Sequence, residues 1–229
     1  MTPRARLRLG ALALLVVGGV VGAALAPPVP CAEVRALGDA PAVRAAAVGV
    51  CALLIVAAVP RAALIAAMGL AFGFAWGVAL AQLGAFIGAT IAFALGRSLA
   101  REPVEALIAR TPWLQGLTAV ATDGRRGFWT AALLRVNPVL HFTLVSFAAG
   151  ALPFSPASFA AGTFVGMIPM TLVVTLGGET VGCALLERRA IPTEQALGLF
   201  AAMAVMTLVS VAPGLVAWAR ARRARAAAR

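Results

Sequence analysis

The chain has 229 residues, of which 62% are hydrophobic and only 12% charged, and its mean hydropathy is +0.98. A soluble domain is nearer one-quarter charged, so most of this surface must face lipid or other protein, and an ordinary soluble domain is excluded. The formal charge is +11 and every basic residue is arginine, but these arginines stand at the ends of apolar runs, the pattern of a membrane protein's inner loops and not of a nucleic-acid-binding face.

Arg4, Arg6 and Arg8 precede an apolar run over residues 9–26, roughly the ~20 residues that cross a ~30 Å hydrocarbon core. Ala24-Leu25-Ala26 has the form of a signal-peptide cleavage site. Pro27 would be a poor residue after the cut, and an uncleaved first transmembrane helix is expected. Residues 27–44 form a short polar link whose charges cancel.

Residues 45–76 are apolar but broken at Pro60-Arg61. Each arm is about 15 residues, or roughly 20–23 Å at 1.5 Å per residue, too short to span. A re-entrant hairpin fits these lengths. Residues 77–96 make a full crossing and carry Gly84-x-x-x-Gly88, a spacing that lets helices approach closely. Residues 97–127 are the longest polar portion, read as an amphipathic segment at the inner interface, with Thr111-Pro112 as a cap and first-turn proline.

A second broken stretch covers residues 128–152 and contains Arg135, Asn137, Pro138 and His141. Ser155-Pro156 starts a helix to about residue 178, with Gly162-x-x-x-Gly166 and a kink expected at Pro169. Residues 179–195 link it to a last crossing at 196–218, and a tail carries five arginines. With the N-terminus, residues 97–127 and the tail inside, thirteen arginines lie inside and four in the outer links. This bias holds only if residues 45–76 return to the side they entered from. The expected fold is therefore an all-α integral membrane protein of about four transmembrane helices plus two opposed re-entrant hairpins. Its parts are residues 1–44, a core at 45–180, and 181–229.

The halves also share a faint pattern: Phe72 is followed twelve residues later by Gly84-x-x-x-Gly88, and Phe154 eight residues later by Gly162 and twelve later by Gly166, a similar but not identical offset. Opposed hairpins with such a repeat make an inverted repeat, the plan of many secondary transporters. The three cysteines, Cys31, Cys51 and Cys183, have no paired spacing. No metal site is expected of them. A Cys31–Cys183 bridge would require both to lie outside, and unpaired small apolar residues are the expectation.

The ordered set Gly69, Phe72, Gly73, Gly77, Gly84, Gly88, Phe93 and Arg97, followed by Arg135-x-x-Pro138, Phe142, Gly150, Phe154, Gly166 and Pro169, resembles the DedA superfamily. That superfamily is also called the SNARE-associated Golgi protein or VTT-domain family. Two positions depart from its pattern: His141 stands where a second proline is usual, and Arg61 where glycine follows the hairpin-one proline. There is no acid between Asp39 and Glu102, unlike the DedA branch proper, which favours the Golgi/bacterial branch. The resemblance implies two opposed re-entrant hairpins and activities such as lipid scrambling or translocation of undecaprenyl phosphate.

An arginine at membrane depth is a functional-site hypothesis by default. Asn137-Pro138 reads as a helix start whose free N–H groups favour an anion, Arg135 offers a planar fork suited to phosphate, and Arg61 sits beside Pro60 at the opposing tip. The candidate substrate-binding set is thus Arg135, Asn137, Pro138, Arg61, Pro60 and His141. Gly69, Gly73, Gly84, Gly88, Gly150, Gly162 and Gly166 are expected to be structural. The expected partners are the bilayer, a phosphate-headgroup lipid and, as an open alternative, a second copy of the chain. No cofactor is expected. One histidine and no Gly-x-Ser-x-Gly elbow argue against an enzyme. A proton-coupled solute transporter using His141, or a membrane-organising protein, remain as alternatives, in a bacterial inner membrane with both termini cytoplasmic.

Overall fold

The structure is a computed structural model that describes residues 28–110, 123–136, 141–205 and 208. It is helical, with no strand among the described residues. In chain order the helices are α1 (Cys31–Leu37), α2 (Pro41–Val56), α3 (Arg61–Leu99), α4 (Arg101–Arg110), α5 (Gly124–Val136), α6 (Phe142–Ala151), α7 (Pro156–Leu186) and α8 (Thr193–Val205). Helices α3 and α7 are long and apolar enough to cross a membrane, and α1 with α2, bent by 91°, would make a third span if counted as one. The expected crossing at residues 9–26 and the cap at Thr111-Pro112 lie outside the described residues. Of the expected last crossing, α8 is the described beginning.

Prolines set the helix starts. Pro41 and Pro156 each open a first turn, where the ring's fixed φ fits and no N–H is needed. Pro60 stands immediately before α3. Asp123 Oδ1 accepts the Arg126 N–H at 2.9 Å at the start of α5, and this bond holds its carboxyl below the usual carboxylate range. Pro169 lies inside the continuous α7.

Helix α3 is two helices in one run. Gly73 has φ 72° and ψ 179°, a conformation open to glycine and strained for L side chains. The expected end of the first hairpin at residue 76 is therefore corrected: the break falls at Gly73, and the hairpin is α2, a tip at 57–60, and residues 61–72. Gly77 is a packing residue instead. A Cβ there would stand 2.9 Å from both the Met68 carbonyl oxygen and Thr175 Cγ2. The second unit begins at Gly124 rather than 128, runs through α5 and α6, and passes into α7, which extends to Leu186 rather than 178.

The long helices are antiparallel. Gly178 meets Ala66, Gln82 reaches Phe164, and the Phe93 and Phe159 rings stack at 4.2 Å. Close contacts at glycine then repeat in register. Gly84 and Gly88 lie on Cys51 and Ile55 of α2, while Gly162 and Gly166 lie on Phe128 and Ala132 of α5. Each long helix thus packs on the first arm of its own hairpin. The second arms cross over: Gly69 abuts the Thr175 carbonyl of α7, and Gly150 abuts the Phe93 carbonyl of α3. The reciprocal glycines are Gly178 against Ala66 and Gly96 against Phe147. Gly69 and Gly150 are each eight residues past the start of the second arm, and Gly84–Gly96 and Gly166–Gly178 have the same twelve-residue spacing. Two units of one design interlock head to tail.

The cysteine expectation is overturned. Cys31 and Cys183 form a disulfide with Cα atoms 5.4 Å apart at a sequence separation of 152. Helix α1 lies against the last turns of α7, which spacing along the chain could not reveal. The same junction holds the Arg35–Glu179 ion pair at 2.6 Å. The Cys31 N–H donates to Glu187 Oε1 at 3.0 Å. That bond, helped by Arg189, keeps the Glu187 carboxyl below its usual range, so its contribution is present at neutral pH and lost as pH falls through the lowered value. Cys51 is free and buried against Gly84, a small residue where a larger one would not fit.

Three outcomes are expected of purified protein. Gly150→Leu or Gly96→Leu should cost on the order of 1–3 kcal/mol or more by overpacking against backbone, seen as a lower thermal midpoint in detergent. Gly49→Ala, with nothing within 4 Å of the new methyl, should be neutral or stabilising by up to about 1 kcal/mol. Cys31→Ser should lower stability by about 2–4 kcal/mol and abolish the mobility difference between reduced and non-reduced protein on a denaturing gel.

Candidate functional site

The two hairpin tips meet. Thr143, in the first turn of α6, donates to the Ile55 carbonyl at 2.6 Å. His141 Nε2 lies 3.2 Å from the carbonyl oxygen of Ala58, a residue in the left-handed region at φ 63°. His141 occupies the cap position of α6 and is exposed. Pro60 is exposed at the cap position of α3. Asn137 and Pro138 lie outside the described residues. The second arm is described as helical from Phe142, so their expected role as its start is not placed.

Arg61 and Arg135 are brought together. Arg61 is the first residue of α3, and Arg135 is in the last turn of α5, yet they are only 9% and 5% exposed. Arg61 Nη2 donates to Thr171 Oγ1 at 2.6 Å and to the Met167 carbonyl at 3.4 Å. The Thr171 hydroxyl also lies 2.8 Å from Gln82 Oε1, and Gln82 Nε2 donates to the Phe164 carbonyl at 2.7 Å. Pro169 removes one N–H from this part of α7, and side chains of α3 engage the neighbouring carbonyls.

Arg135 spreads its fork over three partners: Nε to Thr163 Oγ1 at 3.2 Å, Nη1 to the Phe142 carbonyl at 3.1 Å, and Nη2 to Ser146 Oγ at 2.9 Å. The Phe142 ring lies 4.4 Å from the Arg135 guanidinium carbon and 5.1 Å from that of Arg61. Two cations therefore share one aromatic ring, a favourable contact for each that leaves their charge uncompensated. Among the described residues the ion pairs all lie elsewhere: Arg35–Glu179, Arg44–Asp39, Arg101–Glu105, Arg126–Asp123 and Arg189–Glu187. Neither buried arginine has a carboxylate partner. Buried charges are ordinarily paired, so this locus is strongly anion-seeking.

Sequence reasoning named both arginines but missed the groups that hold them: Thr163, Thr171, Ser146 and Gln82. The available signal was the presence of hydroxyls and an amide inside otherwise apolar runs. Arg97, from the family resemblance, has a different task. It donates to the Phe154 carbonyl at 3.1 Å, at the turn between α6 and α7.

Beside the second arm of the first hairpin runs an apolar cleft of about 770 Å³, lined among others by Ala62, Ala66, Met170, Gly178, Leu199 and Phe200. It begins one residue from Arg61 and is bounded on its far side by α8.

No curated protein and no solved structure matches the chain. A family model described as the VTT domain matches residues 59–180, from the tip of the first hairpin through both arginines to the turn after Glu179. With more than half of the chain inside that match, including the repeated glycines and both hairpin tips, the chain belongs to the VTT-domain family, that of the DedA and SNARE-associated Golgi membrane proteins.

Proposed function

We propose that this protein is a membrane transporter that translocates or scrambles a lipid with a phosphate headgroup, a phospholipid or undecaprenyl phosphate, and that Arg61 and Arg135 hold the headgroup. The observation that carries this is the pair of buried guanidiniums, one from each opposed hairpin, against one Phe142 ring and without a carboxylate. A phosphate oxyanion supplies the missing charge, and guanidinium forks match its geometry. The apolar cleft that starts beside Arg61 suits the lipid's tails.

Architecture supports movement as well as binding. The 16 residues of α2 and residues 61–72 rise roughly 24 and 18 Å at 1.5 Å per residue. Neither spans a ~30 Å core, so the hairpin is read as re-entrant. Two interlocked, antiparallel units with a site between them suit alternating access by rocking one against the other. The disulfide supports the orientation: such bonds persist in oxidising compartments, which favours a Cys31–Cys183 end on the outer side of a bacterial inner membrane. That agrees with the arginine bias, which puts both termini inside.

The test is lipid translocation in liposomes. Wild type should move a fluorescent phospholipid or undecaprenyl phosphate faster than empty vesicles. Arg135→Ala and Arg61→Ala should lose about ten- to a hundredfold, the effect of removing charge-assisted hydrogen bonds of about 1.5–3 kcal/mol, while Arg135→Lys keeps part of the rate. Equal rates for wild type and empty vesicles on both lipids would sink the proposal.

A further inference from the structure

Among the described residues, three buried side-chain polar atoms have no hydrogen-bond partner: Arg61 Nε, Thr175 Oγ1 and Arg35 Nε. Native interiors leave few such atoms, and each calls for a physical explanation. These three are not scattered. Thr171, Thr175 and Glu179 are spaced four apart on α7, along one of the ridges on which crossing helices pack. Arg61 holds Thr171 at one end. Fully buried Thr175 is in the middle, and Glu179 holds Arg35 at the other end. Continued through Met167 to Thr163, which Arg135 holds, the row covers 16 residues, or roughly 24 Å at 1.5 Å each. That is most of a ~30 Å hydrocarbon core, lined by hydroxyls where apolar packing would be expected.

Past Glu179 the row opens into a cavity of about 590 Å³ with polar walls that include Arg35, Asp39, Thr180, Glu187 and Arg189. It lies at the disulfide end. Between the cavity and Arg61 the row is shut by close packing: Gly69 sits on the Thr175 carbonyl, and Gly77 on Thr175 Cγ2. Gly73, the break in α3, falls between these two contacts. Its Cα carries no side chain, and a Cβ there would stand 3.6 Å from Arg35 Cζ and 3.7 Å from Glu179 Oε1. The backbone joint of α3 therefore lies against the ion pair at the mouth of the row.

We propose that this row is the outer access path to the arginine pair, with Glu179 as the gate at its mouth. Glu179 occupies the Arg35 guanidinium until an arriving oxyanion, either a lipid headgroup phosphate or free phosphate, displaces it. The anion then follows Thr175 and Thr171 to Arg61 as α3 bends at Gly73 and lifts Gly69 and Gly77 off Thr175. The proposal rests on the reading of Arg61 and Arg135 as the anion site, and it adds the direction of approach and the residue that controls it.

Thiol labelling in reconstituted full-length protein tests it. In a Cys51→Ser background, Thr175→Cys and Thr171→Cys are exposed to membrane-impermeant methanethiosulfonates from the disulfide side, one reagent carrying a sulfonate and one an ammonium. Thr180→Cys, in the cavity wall, is the reference for access to the mouth. Both row cysteines should react with the sulfonate in preference to the ammonium, and inorganic phosphate should slow them. Glu179→Gln should speed the sulfonate reaction about fivefold, the ratio lost with one partly exposed ion pair, and leave Thr180→Cys unchanged. Row cysteines that stay unlabelled while Thr180→Cys reacts, that react only from the opposite side, that show no charge preference, or that ignore Glu179→Gln would each overturn the path. Labelling as expected without lipid translocation by wild type would sink the transport proposal alone. Translocation without outer labelling would sink this one alone. If protection by free phosphate fails while vesicles containing anionic phospholipid protect, the oxyanion is the lipid's.

Discussion

The contact on which the rest depends is backbone laid directly on backbone at glycine. In lipid there is no hydrophobic gain from bringing two apolar helices together, so helices associate through close packing and hydrogen bonds. Here the closest approaches are Gly69 and Gly178 between the first hairpin and α7, and Gly96 with Gly150 between α3 and the second hairpin. Each second arm is thereby attached to the other unit's long helix. The exchange makes the two halves one body.

That spacing decides what happens to the arginines. Because residues 61–72 of α3, the second arm of the first hairpin, lie so close to α7, the Arg61 side chain reaches Thr171 and the Met167 carbonyl instead of folding back to water. Because α6 and α7 flank α5, Arg135 finds Ser146, the Phe142 carbonyl and Thr163 within one fork. Hydroxyls, carbonyls and ring faces satisfy geometry, but they carry no opposing charge. Two buried cations are held this way, and among the described residues neither has a carboxylate beside it.

The far end of α7 follows a different logic. There the Cys31–Cys183 bond fixes α1, and Arg35 faces Glu179, so each charge has its opposite. The paired Arg35 and the unpaired Arg61 and Arg135 thus all reach one row of α7, at Glu179, Thr171 and Thr163 respectively. Gly73, the backbone break in α3, lies beside the Arg35–Glu179 ion pair, and the disulfide ties α1 to α7.

What the sequence determined by itself was the part encoded locally. Low charge and long apolar runs required a membrane protein; short apolar arms and an arginine bias raised the expectation of opposed hairpins; the spaced phenylalanines and glycines raised that of a repeat; Pro60-Arg61 and Arg135 marked breaks in the apolar runs. Each of these depends on a residue's neighbours in the chain. Tertiary structure alone decided which glycine is a hinge and which a contact surface. Gly73 and Gly77 look alike in sequence, but only Gly73 takes a positive φ, and only Gly77 is pressed against Thr175. It alone paired Cys31 with Cys183, since 152 residues of chain say nothing about distance in space. It also gave the arginines their partners. Thr163, Thr171 and Gln82 are unremarked polar residues in apolar helices until α5 and α3, packed on α7, bring Arg135 to Thr163 and Arg61 to Thr171 with its partner Gln82.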